Sequence, residues 1–367
     1  MHMERIHDWQ TRRPGAFMIL ALLLALLAAC GGQTTPPAGE QPAAADTAVA
    51  EADVVEEEAE TDVIRIGYLP VIIQAPLYVG IERGYFADEG LEFDLSTIRS
   101  GNDAVVQLAA GNFDVAMGGA NAGLYNAIAR GIDFKVVAPM HSESPPLATP
   151  LIISADRTDE IQSVADLEGG RVAVHAFGAA IEYWMSEALA QGGLTFDDVE
   201  LESVLFPNMA AALNNGDIDA AVLTEPLVTI NQDQGLVAIL SDDYIEGFTA
   251  TYVYMNEEWR AANPDLARKF MRAYLRACRD LQGDYMTEEM AGIIEQYTEV
   301  PAPIVMRSAP AQFDPDGTIS VANLEALQEF FMERGHLEYD ELLDINSFVD
   351  QSLANEVAQE LDAETSN

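Results

Sequence analysis

The feature that most restricts how this chain can fold is an internal echo. Leu108-Ala-Ala-Gly111-Asn-Phe-Asp114-Val-Ala116 recurs as Leu213-Asn-Asn-Gly216-Asp-Ile-Asp219-Ala-Ala221, at an offset of 105 residues. Gly90-Leu91-Glu92-Phe93-Asp94 recurs as Gly193-Leu194-Thr195-Phe196-Asp197 at an offset of 103, and Arg65-Ile-Gly-Tyr68 has its counterpart in Arg171-Val-Ala-Val174 at 106. Three pairs in nearly constant register imply two similarly built halves. Along the first half, short apolar runs at 63–68, 91–95, 114–117 and 134–138 alternate with helical stretches. Pro76 opens one of these, and Gly84 and Gly111 each stop one. Strands alternating with helices predict an α/β class, with parallel sheets covered by helices on both faces.

Residues 1–29 are read as a secretory signal: a polar start with Arg5, Arg12 and Arg13, then an apolar run from Ala16 to Ala29. That run is short of the roughly 20 residues a spanning helix needs. It ends in Leu27-Ala28-Ala29-Cys30, which looks like a lipobox, so Cys30 is the expected lipidation site. Residues 30–61 are rich in Ala, Pro and Gly and then acidic. They hold too few large apolar side chains to offset chain entropy and are expected to be a disordered tether reaching about 30 Å. Lobe 1 is expected at 62–148 plus 249–350, lobe 2 at 149–248, and a polar C-terminal tail at 351–367. The helices after 264 are expected to pack back on lobe 1.

The formal net charge is −43. Such an acidic surface repels nucleic acid and anionic lipid, so neither is an expected partner. Beyond Cys30, Cys278 is the single thiol of the sequence, and its helical surroundings point to a buried, inert side chain. There is no GxSxG, no HExxH, no Cys/His metal spacing and no P-loop, so no cofactor or metal is expected. His141 and Glu143 are two residues apart in a Ser/Pro-rich loop and make only a weak acid–base pair.

Gly67-Tyr68-Leu69-Pro70, Pro76-Leu77-Tyr78-Val79-Gly80, Gly84-Tyr85-Phe86 and Glu89-Gly90-Leu91 resemble the opening of the nitrate/sulfonate/taurine and thiamine-pyrimidine class of solute-binding proteins. Asp166-Leu167-Glu168-Gly169, Gly216-Asp217-Ile218-Asp219-Ala220 and Asn263-Pro264-Asp265 resemble later parts of the same class. The resemblance, over roughly 64–281, implies a type II periplasmic-binding fold: two Rossmann-like lobes joined by a two-strand hinge. It also implies service to the permease and ATPase subunits of an ABC importer; the lipobox and tether independently place the chain outside the cytoplasm, held at the membrane through lipid on Cys30, and a monomer is expected. A pyrimidine synthase of the same superfamily shares the fold, but its pattern includes a cysteine-rich cluster, and the folded region here has only Cys278.

In open α/β sheets ligands bind outside the carboxyl ends of the strands, which places the site between the lobes. The loops expected there are 68–78, 100–103, 118–125, 141–146, 175–183, 206–208 and 224–226, and none contains Lys or Arg. Nitrate, sulfonate or phosphate calls for cationic donors, although a helix N-terminus near 178–180 can also hold an anion. Aromatic and neutral polar side chains instead suit a flat, uncharged heterocycle. The candidate contacts are Tyr68, Gln74, Asn121, His141, Phe177, Tyr183, Asn208, Glu225 and Tyr252. His141 and His175 are equally readable as structural histidines, while Trp184 and Tyr125 lean towards the core. Among relatives of this class, the riboflavin-binding lipoproteins are the nearest match in character, with a thiamine-pyrimidine precursor or a small anion as alternatives.

Overall fold

The computed structural model describes residues 62–365. The signal, the tether and Cys30 lie outside the described residues. The first stretch runs β1 (Asp62–Tyr68), α1 (Ala75–Glu82), α2 (Tyr85–Asp88), β2 (Leu91–Thr97), α3 (Gly101–Ala109), β3 (Val115–Gly119), α4 (Ala122–Ala129) and β4 (Phe134–Ser142). The second runs β5 (Leu151–Ser154), β6 (Arg171–Val174), α5 (Ala180–Gln191), β7 (Glu200–Ser203), α6 (Phe206–Asn215), β8 (Ala220–Val222), α7 (Leu227–Asp233) and β9 (Val237–Ser241). The third runs β10 (Thr249–Asn256), α8 (Glu257–Ala262), α9 (Pro264–Asp280), α10 (Glu288–Thr298), α11 (Ala302–Val305), α12 (Val321–Glu333) and α13 (Ser352–Thr365). Among the described residues, no helix is long and apolar enough to cross a membrane.

The strands form two five-stranded sheets, ordered β2-β1-β3-β10-β4 and β7-β6-β8-β5-β9. In the first, β1 pairs parallel with β2 and β3, and β10 lies antiparallel between β3 and β4. In the second, β6 pairs parallel with β7 and β8, and β5 lies antiparallel between β8 and β9. The topologies superimpose strand for strand: a type II periplasmic-binding fold.

The echo has a structural cause. The Asp114 carboxylate accepts from the Arg65 backbone N–H at 2.9 Å and from its guanidinium, while Gly111 O takes a further guanidinium N–H at 2.7 Å. In the other sheet the Asp219 carboxylate accepts from the Arg171 N–H at 2.7 Å, and Gly216 O takes the Arg171 guanidinium at 2.5 Å. The repeated Gly-x-x-Asp thus clamps β3 to β1 in one half and β8 to β6 in the other. Burial opposes ionisation of Asp219, but the Arg171 N–H and the Arg157 guanidinium outweigh it and hold the carboxyl below its usual range.

Two crossovers, 143–150 and 242–248, join the lobes. Glu143 N–H donates to Phe248 O (3.2 Å), Gly247 N–H to Glu143 O (2.8 Å) and Leu147 N–H to Asp242 O (2.9 Å). The crossovers therefore run side by side as one hinge.

Two expectations need correction. Helix α12 does not belong to lobe 1 alone: it packs against β10 and α4 of that lobe and against α5 of the other. Just beyond it, Arg334 and His336 donate to the buried Glu182 carboxylate on α5, at 2.9 and 3.0 Å. Asn126 of α4 exchanges hydrogen bonds with the His336 carbonyl and the Glu338 N–H, so this segment straps both lobes. Nor is 351–367 a polar tail: α13 spans Ser352–Thr365 and packs on α9. Its Ala354, Val357, Ala358 and Leu361 repeat at helical spacing and are buried. The basic face of α9 completes the docking, with Arg268 pairing Glu360 and Arg272 pairing Glu364. Cys278, on α9, is buried, and burial raises its thiol pKa, as an inert role requires.

Leu361→Ala is expected to cost about 2–3 kcal/mol through loss of buried apolar volume. A lowered urea midpoint at unchanged m-value checks it; an unchanged midpoint would mean α13 contributes nothing.

Candidate ligand-binding site

The loops leaving the parallel strands meet between the lobes around an inner chamber of about 70 Å³. Lobe 1 supplies Leu69, Val71 and Ile73 after β1, Gly118, Gly119 and Asn121 at the end of β3, and Met140 and His141 of β4. Lobe 2 supplies His175 after β6, Ala180, Ile181 and Trp184 of α5, Phe206 of α6 and Thr224 after β8. Thr149 of the first crossover and Thr251 of β10 also line it.

Small residues allow this approach. A Cβ on Gly119 would stand 2.8 Å from the Ala180 Cβ of the opposite lobe. Gly178 has φ +65° and also lies against Ala122, so only glycine suits it. Its carbonyl accepts the Ala122 N–H at 2.8 Å across the cleft, and Glu225 O accepts the Ile72 N–H at 3.5 Å. The lobes are therefore closed on each other.

The chamber's polar groups divide into two kinds. Asn121 caps α4: its Oδ1 accepts from Leu124 N–H at 2.9 Å and its Nδ2 donates to Gly119 O at 3.0 Å. His141 is engaged at both nitrogens, Nδ1 with Thr251 Oγ1 (2.5 Å) and Nε2 with Glu143 Oε1 (3.3 Å). The Glu143 carboxylate also accepts the Thr149 hydroxyl (2.6 Å) and the Ala148 N–H (3.0 Å). The second kind has no protein partner: both ring nitrogens of His175, Trp184 Nε1 and Thr224 Oγ1 are sealed from solvent and unpaired. Buried polar atoms are nearly always hydrogen-bonded, so four unpaired ones on residues of one chamber wall single this chamber out as the candidate site. Burial lowers the His175 pKa to about 4, so its imidazole is neutral at physiological pH. No Lys or Arg lines the chamber.

An outer basin of about 350 Å³ adjoins the chamber and shares Leu69, Val71, His175 and Phe206 with it. Its other walls include Ile98, Leu205, Pro207, Leu227 and Val300. Its one cation, Arg99, points largely into solvent and pairs with Asp103 at 3.2 Å.

Of the nine candidate contacts, the structure brings Asn121 and His141 to the chamber. Tyr68 lies edge-on to Tyr78 instead. Gln74 is fully buried behind the lining; its Nε2 donates to Met117 O and its Oε1 has no partner. Phe177 is half-exposed and Asn208 exposed, both away from the lining. Tyr183 stacks on Phe248 with centroids 4.6 Å apart, and burial pushes its phenol up to about 12. Tyr252 is core, its hydroxyl donating to Thr249 O at 2.8 Å. Glu225 is a structural carboxylate: it accepts from Thr229 N–H (3.0 Å), Thr229 Oγ1 (2.9 Å) and Ala309 N–H (3.3 Å), and burial raises its pKa. Trp184, read as core, takes the place expected of Tyr183. One step along a helix turns a side chain by about 100°, so the apolar face of α5, not its loop-proximal end, was the signal.

The sequence pattern of the NMT1-like family matches residues 57–295. The riboflavin-binding protein RibY of Chloroflexus aurantiacus is 28% identical over 71% of this chain and 72% of its own length. The 4-amino-5-hydroxymethyl-2-methylpyrimidine phosphate synthase of Aspergillus parasiticus is also 28% identical, over 62% and 66%. Among solved structures, the periplasmic nitrate-binding protein NrtA of Synechocystis PCC 6803 superimposes with a TM-score of 0.70 over 83% of this chain and 90% of its own. At 16% identity that likeness establishes the fold.

Thr224→Val keeps the side chain's shape and removes an unpaired buried hydroxyl. Unliganded stability is expected to stay level or rise by up to about 1 kcal/mol, while ligand affinity falls about tenfold. Thermal melting and calorimetric titration check the pair of signs; loss of stability and affinity together would make Thr224 structural.

Proposed function

We propose, from the premise that this chain belongs to the NMT1-like family, that it is the solute-binding component of an ABC importer and captures a neutral heteroaromatic molecule, riboflavin foremost. The observation that carries this reading is the chamber itself: apolar walls, four unpaired polar atoms and no cation. Trp184 Nε1–H offers a donor. Thr224 offers a donor or an acceptor. Neutral His175 offers one of each. A ring bearing carbonyls and N–H groups answers that set. A nitrate or sulfonate would face desolvation with no guanidinium or ammonium to offset it.

Binding works by closure. Contacts to His175, Trp184 and Thr224 come from one lobe, and contacts to Leu69, Val71 and Met140 from the other. Only the closed form makes both sets at once, and this difference in affinity is what shifts the population. The importer's permease then meets a closed surface, and lipid on Cys30 keeps the monomer on the outer side of the membrane. Catalysis is disfavoured by the engagement of His141: both its nitrogens and both Glu143 oxygens are already bonded within the protein. His141 therefore has no ring nitrogen left for a substrate proton.

Titration with riboflavin, followed by loss of flavin fluorescence, tests the ligand; no quenching at micromolar concentration rejects it. The pH profile separates neutral from anionic ligands. Because closure depresses the His175 pKa from 6.5 to about 4, affinity for a neutral heterocycle is expected to be level above about pH 6.5 and to weaken as pH falls from there towards 4, where the open form's ring protonates and the closed form's does not. An anion site would instead tighten as the imidazolium forms.

A further inference from the structure

Segment 321–338 is tied to the two lobes by contacts of different depth. On the lobe 1 side they are buried. Tyr125 of α4 donates its hydroxyl to Leu324 O at 2.8 Å, and its ring lies 6.1 Å from that of the fully buried Phe331. Asn126 holds the His336 carbonyl and the Glu338 N–H at 3.0 and 2.8 Å. On the lobe 2 side the contacts lie nearer to solvent, through the half-buried Phe330, Arg334 and His336. Phe330 meets Tyr183 edge-on, Arg334 stands 4.2 Å from the Phe196 ring centre, and Arg334 and His336 both donate to Glu182.

Glu182 connects this junction to the cleft. Its carboxylate is wholly out of solvent and accepts three donors: the Gly178 N–H at 2.7 Å, Arg334 Nε at 2.9 Å and His336 Nε2 at 3.0 Å. Gly178 carries the carbonyl that accepts the Ala122 N–H of lobe 1, and a Cβ on it would stand 3.7 Å from His336 Cγ. Glu182, Arg334 and His336 themselves line neither the chamber nor the basin. A buried carboxylate that loses one partner is costly, because no water replaces the lost bond. Parting the segment from α5 admits that water, so the cost falls on the closed form.

We propose that Arg334 and His336 are positioning residues that set ligand affinity without touching the ligand. By holding Glu182 they keep the closed form populated before any ligand arrives, and segment 321–338 travels with lobe 1 when the cleft opens. This rests on the closure mechanism above and not on which molecule the cleft takes. A binding-competent form that is already populated raises the apparent affinity for every ligand alike.

The test is hydrogen exchange of the ligand-free full chain, read on peptides that contain the Ala122 amide, whose bond crosses the cleft. Arg334→Gln and His336→Leu each remove one donor to Glu182. In either variant the Ala122 amide is expected to exchange about tenfold faster, while the amides of β1 and the melting temperature stay level. Riboflavin affinity is expected to fall by up to about tenfold in the same variants. Should Arg334→Gln melt early, His336→Leu decides alone. An Ala122 amide unprotected in the unaltered protein, or exchanging at the same rate in the variants, overturns the inference. Exchange that quickens equally at Ala122 and in β1 marks a merely structural contact and overturns it too. Faster Ala122 exchange alone, with riboflavin bound by none of the proteins, rejects the ligand reading and leaves this inference standing.

Discussion

Glu143 joins the two crossovers through its backbone and braces the first of them with its carboxylate. Its N–H and C=O pair with Phe248 and Gly247, which makes a two-stranded joint of two otherwise separate loops. Its side chain gathers Thr149, the Ala148 N–H and His141, all out of solvent. A buried carboxylate stripped of such donors would cost several kcal/mol, so these partners fix the joint's geometry rather than decorate it. The two sheets hang from this joint by their antiparallel strands, β4 and β10 on one side, β5 and β9 on the other. The parallel strands then point their carboxyl ends at one another. The cleft follows from that arrangement, and so do His141 and Thr251, which line it while holding the joint together.

Charge is distributed to the same end. The chain carries 18 Lys and Arg against 61 Asp and Glu, so its few cations act where they stand. Arg65 and Arg171 clamp strands, Arg268 and Arg272 dock α13, and Arg334 reaches Glu182 across the strap. Arg99, at the rim of the outer basin, is balanced by Asp103. The chamber wall itself carries no Lys or Arg.

Much of this architecture was legible in the chain. The Gly-x-x-Asp echo reported a repeated backbone clamp, and a clamp of that kind needs the same residues in each half. Strand–helix alternation gave the layers, and the absence of Lys and Arg from seven loops anticipated an uncharged chamber. The individual contacts were less legible because loop membership says nothing about rotation. Tyr183 and Trp184 are adjacent in sequence, yet one faces Phe248 and Phe330 while the other faces the chamber. Glu225 sat in the expected loop but was claimed by Thr229 and Ala309, and Ala309 lies far along the chain. The α13 helix was hidden by composition: its polar majority read as a tail, although Ala354, Val357, Ala358 and Leu361 carried the spacing of one buried face. The strap role of α12 depends on where three elements meet, and no local pattern encodes that.

Under the closure mechanism proposed above, the unpaired polar atoms set a cost on shutting the cleft without a ligand. With the lobes shut, His175, Trp184 and Thr224 are cut off from water and from protein partners alike. Each such group costs roughly 1–3 kcal/mol, which the Ala122–Gly178 and Glu182–His336 bonds must offset. Opening relieves the penalty by admitting water to the same atoms. A ligand relieves it without opening, by bonding them in place. On the proposed reading, the side chains that meet the ligand are the same ones that disfavour the closed form in its absence. A difference of about 5.5 kcal/mol is enough to carry a two-state equilibrium from 1:99 to 99:1. Three or four orphaned groups, each satisfied only by the right molecule, reach that scale with no charge in the cleft.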